Sequence, residues 1–166
     1  TSPPADAAVV RRGPLLYALH PHETTVVTKR YDELLPDRPQ AVDYEIGTRD
    51  AWAHALVVAD DAAPAAGLKF DATPSAGWST RRPFATDAYP FSITARAAPL
   101  PVATWGYWRG TNITAQPPPS PLDCAAGSAA NCSAEVRLRL VPFGGTNIRI
   151  AVFPWSRGVR RVVEQR

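Results

Sequence analysis

An all-β fold, an antiparallel β-sandwich of jelly-roll-like design with long Pro/Gly-rich loops, is the architecture that this chain of 166 residues predicts, and three observations carry the expectation. The 18 Pro and 10 Gly make about one residue in six a breaker of regular structure, a load that excludes a helix bundle or a coiled coil. Near the C-terminal end apolar residues recur at every second position. Val136, Leu138 and Leu140 alternate with Arg137 and Arg139, then Ile148, Ile150 and Val152 with Asn147 and Arg149, whereas a helix would space them three and four apart. Finally, short apolar or β-branched runs follow one another at turn-punctuated intervals, and antiparallel strands with one wet face bury the other by stacking.

Taken in chain order, residues 7–11, 15–19, 24–29, 42–46, 54–59 and 91–96 each form such a run, bounded by Pro, Gly or Asp. Residues 134–141 and 147–153 are the clearest strands. The link between them, Pro142-Phe143-Gly144-Gly145-Thr146, predicts an antiparallel hairpin because its glycines are free to take positive φ. Only residues 31–35 invite a helical turn, which Pro36 stops. Residues 60–83 are loop by composition around a short strand at 68–70. Residues 110–133 are loop as well, with Pro117-Pro118-Pro119-Ser120-Pro121 as an extended, polyproline-like connector. With 45% hydrophobic and 20% charged residues the chain can bury one core, so residues 1–166 are expected to be one β-sandwich domain.

The net charge of +3 comes from 16 Arg against only Lys29 and Lys69, dispersed along the chain with no basic cluster longer than a pair. That dispersal, with no RNA-binding or zinc-finger motif, argues against a nucleic-acid partner. No apolar run approaches the roughly 18 residues of a membrane span, and no membrane partner is expected. The start, TSPPADAAVV, has neither Met nor leader character, and Met is absent throughout. Thr1 is therefore expected to be an internal point of a longer or processed protein.

Cys124 and Cys132 lie in a segment of small and polar residues that reads as a loop, and a disulfide between them is the favoured use. On the chain-entropy model so short a loop is stabilised by about 2.5 kcal/mol. Two free thiols in a reducing compartment are the competing reading. Asn112-Ile113-Thr114 and Asn131-Cys132-Ser133 match the N-glycosylation acceptor pattern, so Asn112 and Asn131 add to an expectation of secretion.

Catalytic chemistry finds little footing. His20-Pro21-His22 with Glu23 beside them lacks a third metal ligand at a recognised spacing, and reads as solvated loop residues. His54, next to Ala55-Leu56-Val57-Val58, reads as a core or sheet-face residue. No Gly-x-Ser-x-Gly elbow and no phosphate-cradling loop occurs. Asp43 and Glu45 alternate onto one face of a strand, where acids bond turn amides or Arg more often than they form a glycosidase pair. In Trp105-Gly106-Tyr107-Trp108, the residues Trp105, Tyr107 and Trp108 offer faces on which sugar rings stack; the alternative is that Trp105 and Trp108 seal the edge of the core.

Five blocks together resemble one family. Val10-Arg11-Arg12-Gly13-Pro14-Leu15-Leu16-Tyr17-Ala18-Leu19 is the first, and Asp43-Tyr44-Glu45-Ile46 with Trp52 and Ala55-Leu56 the second. Residues 91–96 and then 118–121 follow. The last is Val141-Pro142-Phe143-Gly144-Gly145-Thr146-Asn147-Ile148-Arg149-Ile150, continued by Phe153-Pro154. In this order they resemble the non-catalytic C-terminal region of glycoside hydrolase family 127, the β-L-arabinofuranosidase-like proteins. Relatives often carry Trp-Asn-Tyr-Ala-Leu where this chain has Trp52-Ala53-His54-Ala55-Leu56, and Tyr and Cys where it has Phe143 and Gly145.

The resemblance implies a larger secreted enzyme whose catalytic α/α barrel lies upstream of Thr1. In that barrel a zinc-bound cysteine is the nucleophile, a glutamate the acid/base, and further cysteines and a glutamate hold the metal. None of those motifs occurs here, so no catalytic, cofactor-binding or metal-binding residue is carried over, and zinc is expected only in the parent barrel. The expected partners are that barrel, within the same chain, and plant-type arabinose-containing glycans. The expected role is an accessory domain that supports the barrel and is not catalytic alone. Two alternatives stand beside it: a carbohydrate-binding module using the aromatic loop, and a cell-surface interaction sandwich.

Overall fold

The computed structural model describes residues 7–31, 41–82, 85–86, 88–107, 115–124 and 135–157. Strands dominate them, no α-helix occurs among them, and the sheets pack together into the sandwich-like all-β fold predicted. The strands are β1 (Val10–Arg12), β2 (Leu15–Leu19), β3 (Glu23–Arg30), β4 (Val42–Thr48), β5 (His54–Val57), β6 (Leu68–Asp71), β7 (Ser92–Pro99), β8 (Gly106–Tyr107), β9 (Ala115–Gln116), β10 (Val136–Pro142) and β11 (Trp155–Ser156). Seven of these form one sheet in the order β1-β2-β10-β7-β5-β11, with β6 also on β7; β3–β4 and β8–β9 are separate pairs.

β1 and β2 are joined by Gly13-Pro14, with Arg12 opposite Leu15. Gly13 takes φ of 57°, and the proline that follows has its φ held near −65° by its ring. Positive then negative φ is the signature of a two-residue II′ hairpin loop, whose twist suits the flanking strands.

β7 is the hub of the sheet. One edge pairs with β10, while the other carries β6 along residues 92–95 and β5 along residues 97–99. On β10 the predicted alternation holds from residue 137 to 140: Leu138 and Leu140 oppose Ala95 and Ile93 and are buried, while Arg137 and Arg139 are exposed; Val136, expected inside, is 37% exposed. Arg137 faces Arg96 across the ladder, and Arg96 is neutralised by Glu135 at 2.6 Å.

The sheet is buried on both sides where β5 meets β7. Leu56, Ile93, Ala95 and Ala97 point into a cluster with Val10, Tyr17, Leu19, Leu138, Leu140 and Phe153. The alternate residues Ala53, Ala55, Val57 and Ala98 point the other way, onto Leu100, Trp105 and Cys124. That period of two explains why all four residues of β5 are buried. Trp52 and Ile150 pack against both clusters.

The predicted hairpin of residues 134–141 with 147–153 does not form. β10 pairs with β7 along residues 136–140 and with β2 along 140–142, the end at which a hairpin with 147–153 would have to start. Residues Phe143–Gly145 make a 3₁₀ turn, and the chain after it stays off β10, bridging to Ala8 at Phe153 and pairing as β11 in parallel with β5. Its amides are taken singly: those of Asn147 and Ile148 donate to the Glu23 carboxylate and that of Phe153 to Ala8 O, while Ile150 O accepts from Leu19 N. The phase shifts as well. Phe153 is 0% exposed and Ala151 is buried, whereas Val152, expected inside, is 40% exposed.

The other expected strands appear, with no end displaced by more than three residues, and the short strand near 68–70 is β6; β8, β9 and β11 were not expected, and β9 falls in a stretch read as loop. The connector before β10 is anchored at several points. Ala115 and Gln116 pair with β8, Ser120 is buried, and Leu122 bridges to Ser156. Most of the helical turn expected at 31–35 lies outside the described residues.

Candidate functional site: an aromatic-floored cleft

Between the root of the β3–β4 pair and the main sheet lies a cleft of about 680 Å³. Leu16 from β2, Ile46 and Thr48 from β4, Trp52 from the run into β5, Trp105, and residues 147–152 line it together with Phe143. Trp105 follows the 3₁₀ turn Val102–Thr104 and donates its amide to Val102 O. Its ring meets that of Trp52 edge-on, with centroids 5.2 Å apart at 73°, a geometry favoured by the aromatic quadrupoles. The guanidinium of Arg149 sits 5.1 Å from the Phe143 ring centroid, within cation–π range.

Glu23 fixes the mouth of the cleft. Its carboxylate accepts hydrogen bonds from the Thr146 hydroxyl (2.5 Å), the Asn147 amide (2.6 Å), the Ile148 amide (2.8 Å) and the Asn147 side chain (2.8 Å). Partial burial opposes ionisation, but these bonds together outweigh it and hold the carboxyl below the usual glutamate range. The clasp ties β3 to residues 146–148. Thr48 Oγ1 donating to His22 O, and the His22 amide donating to Asp50, secure the same root.

Arg149 is the one ionisable side chain on the described lining, so the cleft has no acid–base pair and no activated nucleophile. It is equipped to pack against apolar or planar groups, with a cation at its rim. Among the described residues no three His, Cys, Asp or Glu side chains come together as a metal site would require. The zinc that the family resemblance implies for a parent barrel thus has no donor set in the described part of this chain, and no chemical step is assigned to it.

The predicted site residues disperse. Trp105 is 6% exposed, packs in the second core cluster and also lines the cleft; its Nε1 has no hydrogen-bond partner. Tyr107 lies in β8, but its side chain is not among those described, and Trp108, Asn112, Asn131 and Cys132 lie outside the described residues. Cys124 is buried in the second core cluster and is not a free thiol.

His20 packs edge-on to Tyr89, His22 is exposed, and Glu23 is occupied by the clasp. Asp43 accepts from the Tyr31 hydroxyl at 2.6 Å, and Glu45 is exposed on the same strand. His54 is buried on β5, and burial holds its pKa below the usual imidazole value despite a hydrogen bond with the Trp52 backbone.

Sequence reasoning missed two things, the Glu23 clasp and the Trp52–Trp105 pair. Both join residues more than 50 positions apart with no local pattern. Comparison with family models, with curated proteins and with solved structures finds no match.

Proposed function

We propose that this chain is the accessory C-terminal β-sandwich of a secreted β-L-arabinofuranosidase-like glycoside hydrolase of family 127, which braces the catalytic barrel and performs no chemistry itself. One observation carries the reading. Residues of three of the five blocks that resemble the family, Leu16 of the first, Ile46 and Trp52 of the second, and Phe143 with residues 147–150 of the last, line a single apolar cleft. An apolar, aromatic-floored cleft without acid–base groups suits docking against another domain better than turnover.

The test is to read and express the polypeptide upstream of Thr1. A helical barrel with a Cys/Glu zinc pattern is expected there, and it should co-purify with this chain when the two are expressed separately. Trp52→Ala should weaken that association about tenfold, and the chain alone should release no sugar from arabinofuranosides. No such barrel upstream, or hydrolysis by the chain alone, would overturn the proposal. A carbohydrate-binding module would need open aromatic faces, and with Trp105 6% exposed that reading rests mainly on Tyr107 and Trp108.

Secretion adds its own expectation, a bond between Cys124 and Cys132. Mass spectrometry of the non-reduced protein should find the two peptides linked. Two alkylatable thiols would remove the bond and, with it, the main support for an oxidising compartment.

A further inference from the structure

We propose that the outer edge of β3 is a homodimerisation edge, at which a second copy of this chain adds its own β3 in antiparallel register to make a four-stranded sheet. The inference is independent of the glycoside-hydrolase reading. β3 and β4 form a two-stranded sheet, and no other described strand pairs with either of its outer edges. Such a pair is marginal alone in water, and a long unpaired edge is a template for another strand.

β3 is eight residues long, and residues 24–30 are all exposed. Val26 at 61%, Val27 at 44% and Tyr44 at 56% are among the most exposed large apolar side chains. Between Thr24 and Thr28 the edge has neither proline nor charge; the bulge at Val27/Lys29 and the cations Lys29 and Arg30 sit towards the tip. The Glu23 clasp and the Thr48 and Asp50 bonds hold the root of this arm in place before any partner arrives.

Charge decides which edge pairs and with what. In a closed two-fold pair of antiparallel strands, opposed residues lie on one face and so have the same parity. Centred on Val26, β3 sets Val26 opposite Val26 of the partner subunit and Thr25 opposite the partner's Val27, within the regular stretch that precedes the bulge. These opposed residues carry no charge, so no like charges meet.

Strand β4 is less suited. Centred on Tyr44 it sets Asp43 opposite the partner's Glu45, and centred on either acid it opposes that acid to itself, so only registers shifted to an end of the strand separate the acids; like charges directly opposite are destabilising. A β3-to-β4 pairing would be head-to-tail and would leave an open edge at each end. The self-complementary edge of β3 closes as a dimer.

Sedimentation of the 166-residue chain over a range of concentrations should show a reversible dimer. Val26→Lys, a change at an exposed position that places two cations across the axis, should weaken it about tenfold or more with an unchanged circular dichroism spectrum. Val26→Cys should form an inter-chain disulfide on mild oxidation, because directly opposed residues lie within about 5.5 Å. Tyr44→Cys should not, since two further strands separate the sites. A chain that stays monomeric to about 100 μM overturns the proposal on concentration alone. So does a dimer indifferent to Val26→Lys, cross-linking through Tyr44→Cys in place of Val26→Cys, or protection of β3 amides that appears only when the upstream polypeptide is added.

Discussion

Phe153→Ala is expected to lower the unfolding free energy by about 3–5 kcal/mol, the range for truncating a fully buried aromatic side chain. Phe153 is 0% exposed, and its cluster gathers residues from β1, β2, β5, β7 and β10, so the cavity would open where five strands meet. The shell is held by backbone bonds on both sides. Phe153 and Ala8 exchange amide hydrogen bonds at 2.9 and 2.7 Å, and Leu56 donates to Pro154 O. That restraint limits collapse into the void, which places the loss towards the upper end of the range. Urea denaturation followed by tryptophan fluorescence measures it. Val152→Ala, one residue away and 40% exposed, should change stability by no more than about 0.5 kcal/mol. Equal losses at the two positions would mean that the segment carries the phase of its sequence pattern and not the one in the structure.

Glu23→Ala is expected to cost about 2–3 kcal/mol and to loosen the β3–β4 arm before the rest unfolds. The carboxylate satisfies the Thr146 hydroxyl, two backbone amides and the Asn147 side chain at once. Removing it leaves those donors unpaired, some of them only half-exposed to water, and leaving a donor unpaired costs more than the net worth of one bond. Amide exchange should then accelerate in β3 and β4 while β7 and β10 keep their protection.

The pH dependence has a definite sign. The folded-state pKa of Glu23 lies below its value in the unfolded chain, so its contribution is complete above the ordinary glutamate range and is lost as pH falls through the folded value. The stability difference between the native chain and Glu23→Gln should therefore be flat from neutrality to about pH 5 and shrink below it. Asp71, held below the usual range by hydrogen bonds from Thr73, is common to both proteins and cancels in the difference. A difference that grows as pH falls would contradict the clasp.

Much of the architecture was legible because strands announce themselves locally. A period of two on β10, β-branched residues in β3, and Gly13-Pro14 between β1 and β2 are each decided within a few residues of chain. The same local logic misplaced residues 147–153. Their alternation is that of a strand, yet the end of β10 at which a hairpin would start was taken by β2, and Glu23, more than 120 positions away, captured the amides that a ladder would use.

The candidate site divides along the same line. Trp105 could be singled out as an aromatic in a loop, but where it packs depends on Trp52, a residue 53 positions earlier whose ring meets it edge-on in the floor of the cleft. Glu23 stood out in sequence only as a neighbour of two histidines, and nothing near it marks Thr146 or Asn147 as its partners.

The amino-acid pattern alone settles that this chain is built of short strands, because propensity, turn geometry and alternation act over a handful of bonds. The tertiary structure decides which edges pair, which phase of residues 147–153 faces inward, and that Leu16, Trp52, Trp105, Phe143 and Arg149 share one cleft. Those outcomes depend on competition for hydrogen-bond partners and buried volume between residues far apart in the chain, and no local window contains both competitors.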